Sequence, residues 1–133
     1  MLQLHFRTTR FLPYLPEASQ VNPGAYGFEL AQWLSQTLMQ AGIVTSYPLG
    51  EDWGWFIEYF EDEFECMVGC AAVAEEGEGY LAQPVDWRIF VKAQRSLKQR
   101  LQGRDARAVC RKLAGAILAA LLTEGIHAEL TED

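Results

Sequence analysis

Paired carboxylates beside indoles are the arrangement in this chain closest to acid–base chemistry. Glu51 and Asp52 stand directly before Trp53-Gly54-Trp55, and Glu58 follows in the same stretch. Burial against an aromatic wall would raise the pKa of one carboxyl while its neighbour stays ionised, the division that a general acid and a general base require. Seven carboxylates crowd between Glu51 and Glu65, however, so an acid beside an aromatic is unremarkable in this region. The simpler expectation is that Glu51 and Asp52 end a turn and face water.

Other chemistries find less support. Cys66-x3-Cys70 with His5 and His127 supplies sulfur and nitrogen donors of the kind zinc takes. Both cysteines alternate with Phe64, Val68 and Ala72, and a free cysteine in such company behaves as a small apolar residue. No metal and no cofactor is expected. The chain has no Gly-x-Ser-x-Gly elbow, and its serines and two distant histidines fix no catalytic triad. Gly77-x-Gly79 lies in an acidic loop that would repel a phosphate. The basic stretch from Arg95 to Arg104 could touch phosphates, yet a sequence pI of 4.8 is the reverse of a nucleic-acid domain's balance. That stretch reads as a solvated helix face, and no nucleic acid is expected.

The charge is strongly segregated. Thirteen carboxylates and no lysine or arginine lie between Phe11 and Trp87, whereas nine basic residues and one acid lie between Arg88 and Lys112. The net charge of −7 conceals this polarity. Acidic strands and a basic helix can meet and neutralise each other, which is the first expectation. The second is an exposed acidic face that steers a basic partner.

The elements that must position these groups follow from periodicity. Leu2, Leu4 and Phe6 alternate with polar residues, the mark of a strand buried on one face. The span from Arg10 to Gly24, with Pro13, Pro16 and Pro23, reads as a long loop pinned by Leu12, Tyr14, Leu15 and Val21. A helix over Ala25–Ala41 buries Leu30, Ala31, Leu34, Leu38 and Ala41, with Gly42 as its cap and Trp33 at the core's edge. Strands follow at Ile43–Leu49, at Trp53–Phe60 and, after the acidic turn Glu61-Asp62-Glu63, at Phe64–Ala74. In the second of these, Trp53, Trp55, Ile57 and Tyr59 are expected on the inner face. The small residues of the third call for a closely packed helix. A flexible acidic loop, Glu75–Gly79, leads to a strand over Val85–Arg95, whose Arg88 and Lys92 would pair across strands with Glu58 or Glu65. A short helical turn over Ser96–Gln102 precedes the main helix, Asp105–Thr123, capped by Gly125. Its second half, residues 114–122, is apolar all round, which predicts burial on more than one side. Ile126–Thr131 is the last strand, and helix end, glycine and isoleucine recur there as they did at Leu38–Ile43.

A length of 133 residues fits one domain, residues 1–133, large enough to bury roughly two-thirds of its unfolded surface without staples. The opening residues lack the apolar core of a signal peptide, and the longest apolar run is well short of the ~20 residues that span a bilayer. A cytoplasmic protein with no membrane contact and with Cys66, Cys70 and Cys110 reduced is therefore expected. The predicted fold is α+β: a two-layer sandwich with a mostly antiparallel sheet of five to six strands and two main helices on one face. A ferredoxin-like core carrying an inserted hairpin is the nearest arrangement.

The blocks Asn22-Pro23-Gly24, Gly27-x-Glu29-Leu30-Ala31-x-Trp33-Leu34 and Glu51-Asp52-Trp53-Gly54-Trp55 together resemble a group of small bacterial proteins of unknown function, over about the first 60 residues. The resemblance implies a bacterial cytoplasmic setting and carries over no activity and no functional residue. The leading functional expectation is a non-enzymatic interaction module, regulatory or immunity-like, that binds a protein partner of basic character. Its candidate binding residues are Glu51, Asp52, Trp53, Glu58, Glu61, Asp62 and Glu63. Two alternatives stand beside it. One is a small-ligand binder or hydrolase with a cleft between the 10–24 loop and the Trp53/Trp55 strand. The other is a homodimer formed through the apolar helix 114–122.

Overall fold

Alternating apolar side chains build a six-stranded sheet, and two helices with apolar stripes lie across one of its faces. The computed structural model describes residues 1–94 and 97–133. Arg95 and Ser96, where a strand was expected to end and a helical turn to begin, lie outside the described residues. The strands are β1 (Leu2–Thr8), β2 (Leu49–Glu51), β3 (Gly54–Glu61), β4 (Phe64–Val73), β5 (Val85–Gln94) and β6 (Glu129–Glu132). The helices are α1 (Phe28–Gln40), the short α2 (Leu97–Leu101) and α3 (Arg107–Thr123).

The sheet order is β2-β3-β4-β5-β1-β6, and every neighbouring pair is antiparallel. Taken without β2 and β3, the order β6-β1-β5-β4 with two crossing helices is the split βαβ arrangement of a ferredoxin-like core. The β2–β3 hairpin is an insertion between α1 and β4. The two-layer α+β sandwich read from the sequence is the fold observed.

Leu2, Leu4 and Phe6 of β1, Ile57 of β3, Cys66, Val68 and Cys70 of β4 and Trp87, Ile89 and Val91 of β5 face the helices. Against them lie Leu30, Leu34 and Leu38 of α1 and Val109, Leu113, Ile117 and Leu121 of α3. Spacings of three and four put each helical set on one stripe. The repeated glycine signal is a pair of matching helix ends. Gly42 (φ 84°) and Gly125 (φ 75°) donate to Met39 and Leu122, and the isoleucines behind them, Ile43 and Ile126, donate back to Leu38 and Leu121. These are Schellman caps, and each closes with a buried leucine–isoleucine contact as the motif favours.

Several boundaries differ from the sequence reading. Residues 43–48 form no strand. Ile43 is consumed by the α1 cap and Pro48 cannot donate to a ladder, so only Leu49–Glu51 pairs with β3. The last strand likewise begins at Glu129 because Ile126 serves the α3 cap. Helix α1 starts at Phe28 and leaves Ala41 exposed. In the 10–24 loop, Phe11 and Gln20 are the buried anchors, while Tyr14 and Val21 are exposed. The acidic loop is tied down by the Gly77 amide, which donates to the buried Tyr26 hydroxyl at 2.8 Å. Helix α3 is covered on one side only: Gly115, Ala119 and Leu122 form an outward stripe in solvent. The half that read as apolar all round thus turns Gly115, Ala119 and Leu122 outward and Ala114, Ile117, Ala120 and Leu121 inward.

The β3–β4 turn is held from outside the sheet. Asp62 and Glu63 both take positive φ (52° and 66°), the mirror-type turn that suits the sheet's twist but costs a residue with a Cβ about 1 kcal/mol. Arg104 donates to the Asp62 carbonyl (2.7 Å) and the Glu63 carboxylate (3.0 Å) while its guanidinium stacks over Phe64. Gln99 donates to the Glu63 carbonyl at 2.9 Å. Replacing Arg104 with alanine removes both hydrogen bonds and the stacked cation, so chemical denaturation is expected to show a loss of about 1–2 kcal/mol. An unchanged midpoint would mean that the turn holds itself.

Candidate functional site

The hairpin Glu51–Gly54 decides where the tryptophans go. Asp52 and Trp53 are its two turn residues, because Glu51 pairs with Gly54. Trp53 therefore leaves the alternation that Trp55, Ile57 and Tyr59 share, and it does not face inward as the sequence pattern predicted. Trp55 does. Its ring meets Phe28 edge-on at 5.1 Å, and its indole donates to Gln20 Oε1 at 3.3 Å. The notch left by Gly54 is filled by backbone: a Cβ there would stand 2.4 Å from the Cys70 carbonyl oxygen.

Trp53 instead folds over the face of the sheet that no helix covers. Its ring lies 4.9 Å from Phe90 and 6.4 Å from Phe56. Phe90 lies flat across its register partner Gly69, where a Cβ would come within 2.1 Å of the ring. Glycine at 69 is thus what allows Phe90 to reach across β4 towards Trp53. Leu49 pairs with Phe56 on this face, Met67 lies beside Glu58, and Phe60 and Val73 are the most exposed members. Trp53 is 37% exposed and Phe60 63%. The result is an aromatic and aliphatic surface that runs from Leu49 through Phe56 and Trp53 to Phe90, with Met67 beside it between Glu58 and Lys92 and with Phe60 beyond Glu58.

The candidate carboxylates separate into two groups. Glu61 pairs with Lys112 of α3, and Glu63 pairs with Arg104 at 3.0 Å. Hydrogen bonds from Lys112 and from the Tyr59 hydroxyl hold the Glu61 carboxyl below its ordinary range, and accepting-side Glu61 raises the Tyr59 phenol in return. This is the neutralisation between acidic strands and basic helix that the charge pattern suggested. Glu51, Asp52, Glu58 and Glu65 make no ion pair among the described residues. The expected pairing of Arg88 and Lys92 with Glu58 or Glu65 does not form, because the register sets Lys92 against Met67 and Arg88 against Ala71. Asp62 has its backbone fixed by Arg104, as described above.

Glu51, Asp52 and Trp53 thus share the β2–β3 turn, Glu58 lies farther along β3 beside Met67, and Glu61 and Glu63 belong to structural pairs. Phe56, Phe60, Met67 and Phe90 belong to the same surface, and the sequence reading gave them no site. Phe56 and Phe60 fall opposite Ile57 by simple alternation, which was the available signal. The meeting of Phe90, Gly69 and Trp53 depends on strand register. No group of three His, Cys, Asp or Glu among the described residues could hold a metal ion.

The 10–24 loop packs directly on this hairpin. Asn22 Nδ2 donates to the Asp52 carbonyl at 2.9 Å, and Val21 leans on Gly50. Behind the loop, Glu29 is 8% exposed and accepts long hydrogen bonds from the Tyr14 and Leu15 amides, at 3.4 and 3.5 Å. Burial raises its pKa, with the amides opposing. No helix among the described residues is long and apolar enough to cross a membrane. Comparison with protein families, curated proteins and solved structures finds no match to the chain.

Two outcomes follow. Gly69→Ala forces the Phe90 ring off β4, so a loss of about 1–3 kcal/mol is expected together with a changed tryptophan signal in near-ultraviolet circular dichroism. An unaltered spectrum would refute the packing described. Glu29 titrates higher in the folded than in the unfolded chain, so its stabilisation is complete below the ordinary carboxylate pKa and is lost as pH rises through the folded value. Urea titrations of Glu29→Gln should therefore coincide with wild type near pH 4 and show the variant gaining relative stability towards neutrality. A variant that instead loses ground with rising pH contradicts the assignment.

Proposed function

We propose that this chain is a non-enzymatic interaction module that docks a protein partner on the uncovered face of its sheet. The observation that carries the reading is the apolar surface of Leu49, Trp53, Phe56, Phe60, Met67 and Phe90, on the face opposite both helices. Contiguous apolar area of this kind, rimmed by polar groups, marks interaction sites, and aromatics and methionine are the residues interfaces favour. Glu51 and Asp52 stand at the β2–β3 turn, and Glu58 and Glu65 lie among Phe56, Phe60 and Met67 on the same face, so the partner presents apolar residues interspersed with lysine or arginine. A regulatory or toxin-neutralising role in the cytoplasm uses such a surface.

The competing small-ligand cleft needs space between the 10–24 loop and the tryptophan strand. The Gln20–Trp55 and Asn22–Asp52 hydrogen bonds and the Val21–Gly50 contact occupy that space. A homodimer through α3 has only the small-residue stripe of Gly115 and Ala119 with Leu122 to offer. The sheet face provides far more apolar area.

Binding is tested by capture from the native host with wild type, Trp53→Ala, Phe60→Ser, the charge reversal Glu51→Lys/Asp52→Lys and the helix-face control Leu122→Ser. Loss of an anchoring aromatic is expected to weaken retention at least about tenfold. The charge reversal should weaken it further at low salt than at high salt. Retention that survives the sheet-face substitutions, or that falls equally with Leu122→Ser, sinks the proposal.

A further inference from the structure

The open face of the sheet is polarised across its strands. Rows of outward residues cross it at successive heights along β4. In one row Glu58 pairs with Met67 and Met67 with Lys92. Two residues along, Phe56 pairs with Gly69 and Gly69 with Phe90. The third row passes from Glu51 through Gly54 and Ala71 to Arg88 and His5. In both charged rows the carboxylate lies on the β2–β3 side of β4 and the basic side chain on the β5–β1 side. The middle row has a phenylalanine on either side of a glycine. Arg88 and Lys92 are exposed, Glu58 is half-buried, and none of the three forms an ion pair among the described residues.

We propose, resting on the docking reading above, that the partner on this face is a second copy of the chain, packed face to face about a twofold axis along β4.

The argument is one of symmetry. A twofold interface joins the same patch from both copies, so the patch must complement itself. An axis lying along β4 sets β3 of one copy over β5 of the other, and β2 over β1, at the same height. Glu58 then faces Lys92 of the second copy, and Lys92 faces its Glu58. Phe56 faces Phe90, Met67 meets its own copy on the axis, and Glu51 faces His5. Arg88 comes over the turn that carries Trp53, and an indole face suits a guanidinium. An axis across the strands through Gly69 fails the same requirement, because it sets Lys92 against Arg88.

The geometry of sheet packing allows the arrangement. Two sheets stack with strands within about 30° of each other and faces about 10 Å apart, a gap that side chains from both copies fill. With strands ~4.8 Å apart and residues ~3.3 Å apart, the face is roughly 20 Å across in each direction. That lies at the small end of specific interfaces, so a monomer–dimer equilibrium is expected rather than an obligate dimer. Glu65, exposed and two residues from Met67 on β4, meets its own copy on the axis and opposes association.

Sedimentation equilibrium of the purified chain tests the pairing. The mass is expected to rise from one chain towards two between about 1 µM and about 1 mM. Glu58→Lys and Lys92→Glu should each weaken self-association at least about tenfold, since each change places like charges together twice. Mixing the two variants should restore it, because each then offers the charge that the other needs. Glu65→Gln should strengthen association, and Leu122→Ser on the outward side of α3 should leave it unchanged. A chain that stays monomeric across that range overturns the proposal, as do reversed charges without effect or variants that fail to recover on mixing. A monomer whose capture of a different protein is lost with Trp53→Ala refutes the second copy and leaves the docking reading standing. The wild-type concentration series decides whether or not the variants fold.

Discussion

A single layer of helices covers one face of a sheet whose other face also carries aromatics on β3 and β5, and most of the structure follows from that mismatch. An antiparallel sheet commonly buries one face and wets the other, so that polar residues alternate with apolar ones. Here β3 carries Phe56 and Phe60 on the outer face, and β5 carries Phe90 there. The chain answers part of the resulting exposure locally. Trp53, released from the ladder by the two-residue turn, folds onto Phe56 and Phe90, and Phe90 lies down on Gly69. Those contacts bury Phe56 and half-bury Phe90 without a second helical layer. Phe60, Leu49 and Val73 remain in water, and no segment of the described chain reaches them.

Charge is arranged around the same division. Basic residues that follow β5 in sequence sit on the helix side and at the hairpin tip, where Lys112 and Arg104 meet Glu61 and Glu63. These pairs are exposed, so their importance is local: they hold the β3–β4 turn to the segment before α3 and to the first half of that helix. The carboxylates on the open face have no such counterpart among the described residues. A segregation that looked like one property of the chain thus resolves into two: pairing across the helix side, and carboxylates on the open face that share it with Arg88 and Lys92 without an ion pair among the described residues.

The fold was legible because its signals are local. Strand alternation in β1, β4 and β5, the apolar stripes of α1 and α3, and the glycine caps after both helices each depend on a few consecutive residues. The segments misread were those where one residue serves a neighbour's needs. Ile43 and Ile126 look like strand residues but complete helix caps, which shortens β2 and β6. Trp53 continues the alternation of Trp55 on paper, and a turn that uses it as a corner reverses its direction. The candidate surface was only half legible for the same reason. Glu51, Asp52, Trp53 and Glu58 could be singled out from one stretch, whereas Phe90 and Gly69 join them only through the pairing of β4 with β5.

Strand β4 is where these constraints meet, and its composition shows it. Its central residues must be small in opposite directions at successive positions. Gly69 is emptied on the outer face by the Phe90 ring. One residue later the Cys70 carbonyl is approached so closely, by Gly27 at the start of α1 and by Gly54 at the start of β3, that a Cβ on either glycine would stand within 2.5 Å of it. The small residues of this strand therefore do admit a closely packed helix, as their pattern suggested, and they also admit a second strand's backbone and an aromatic from the far side. A larger side chain at Gly69 would disturb the open face, and one at Gly27 or Gly54 would push α1 or the β2–β3 hairpin away from the sheet. Placing the inserted hairpin, the entry of α1 and the aromatic surface on one strand makes the geometry of that surface depend on packing on the other side of the sheet. Trp53 is held in place by a hairpin whose position is set, through Gly54, by the backbone of β4.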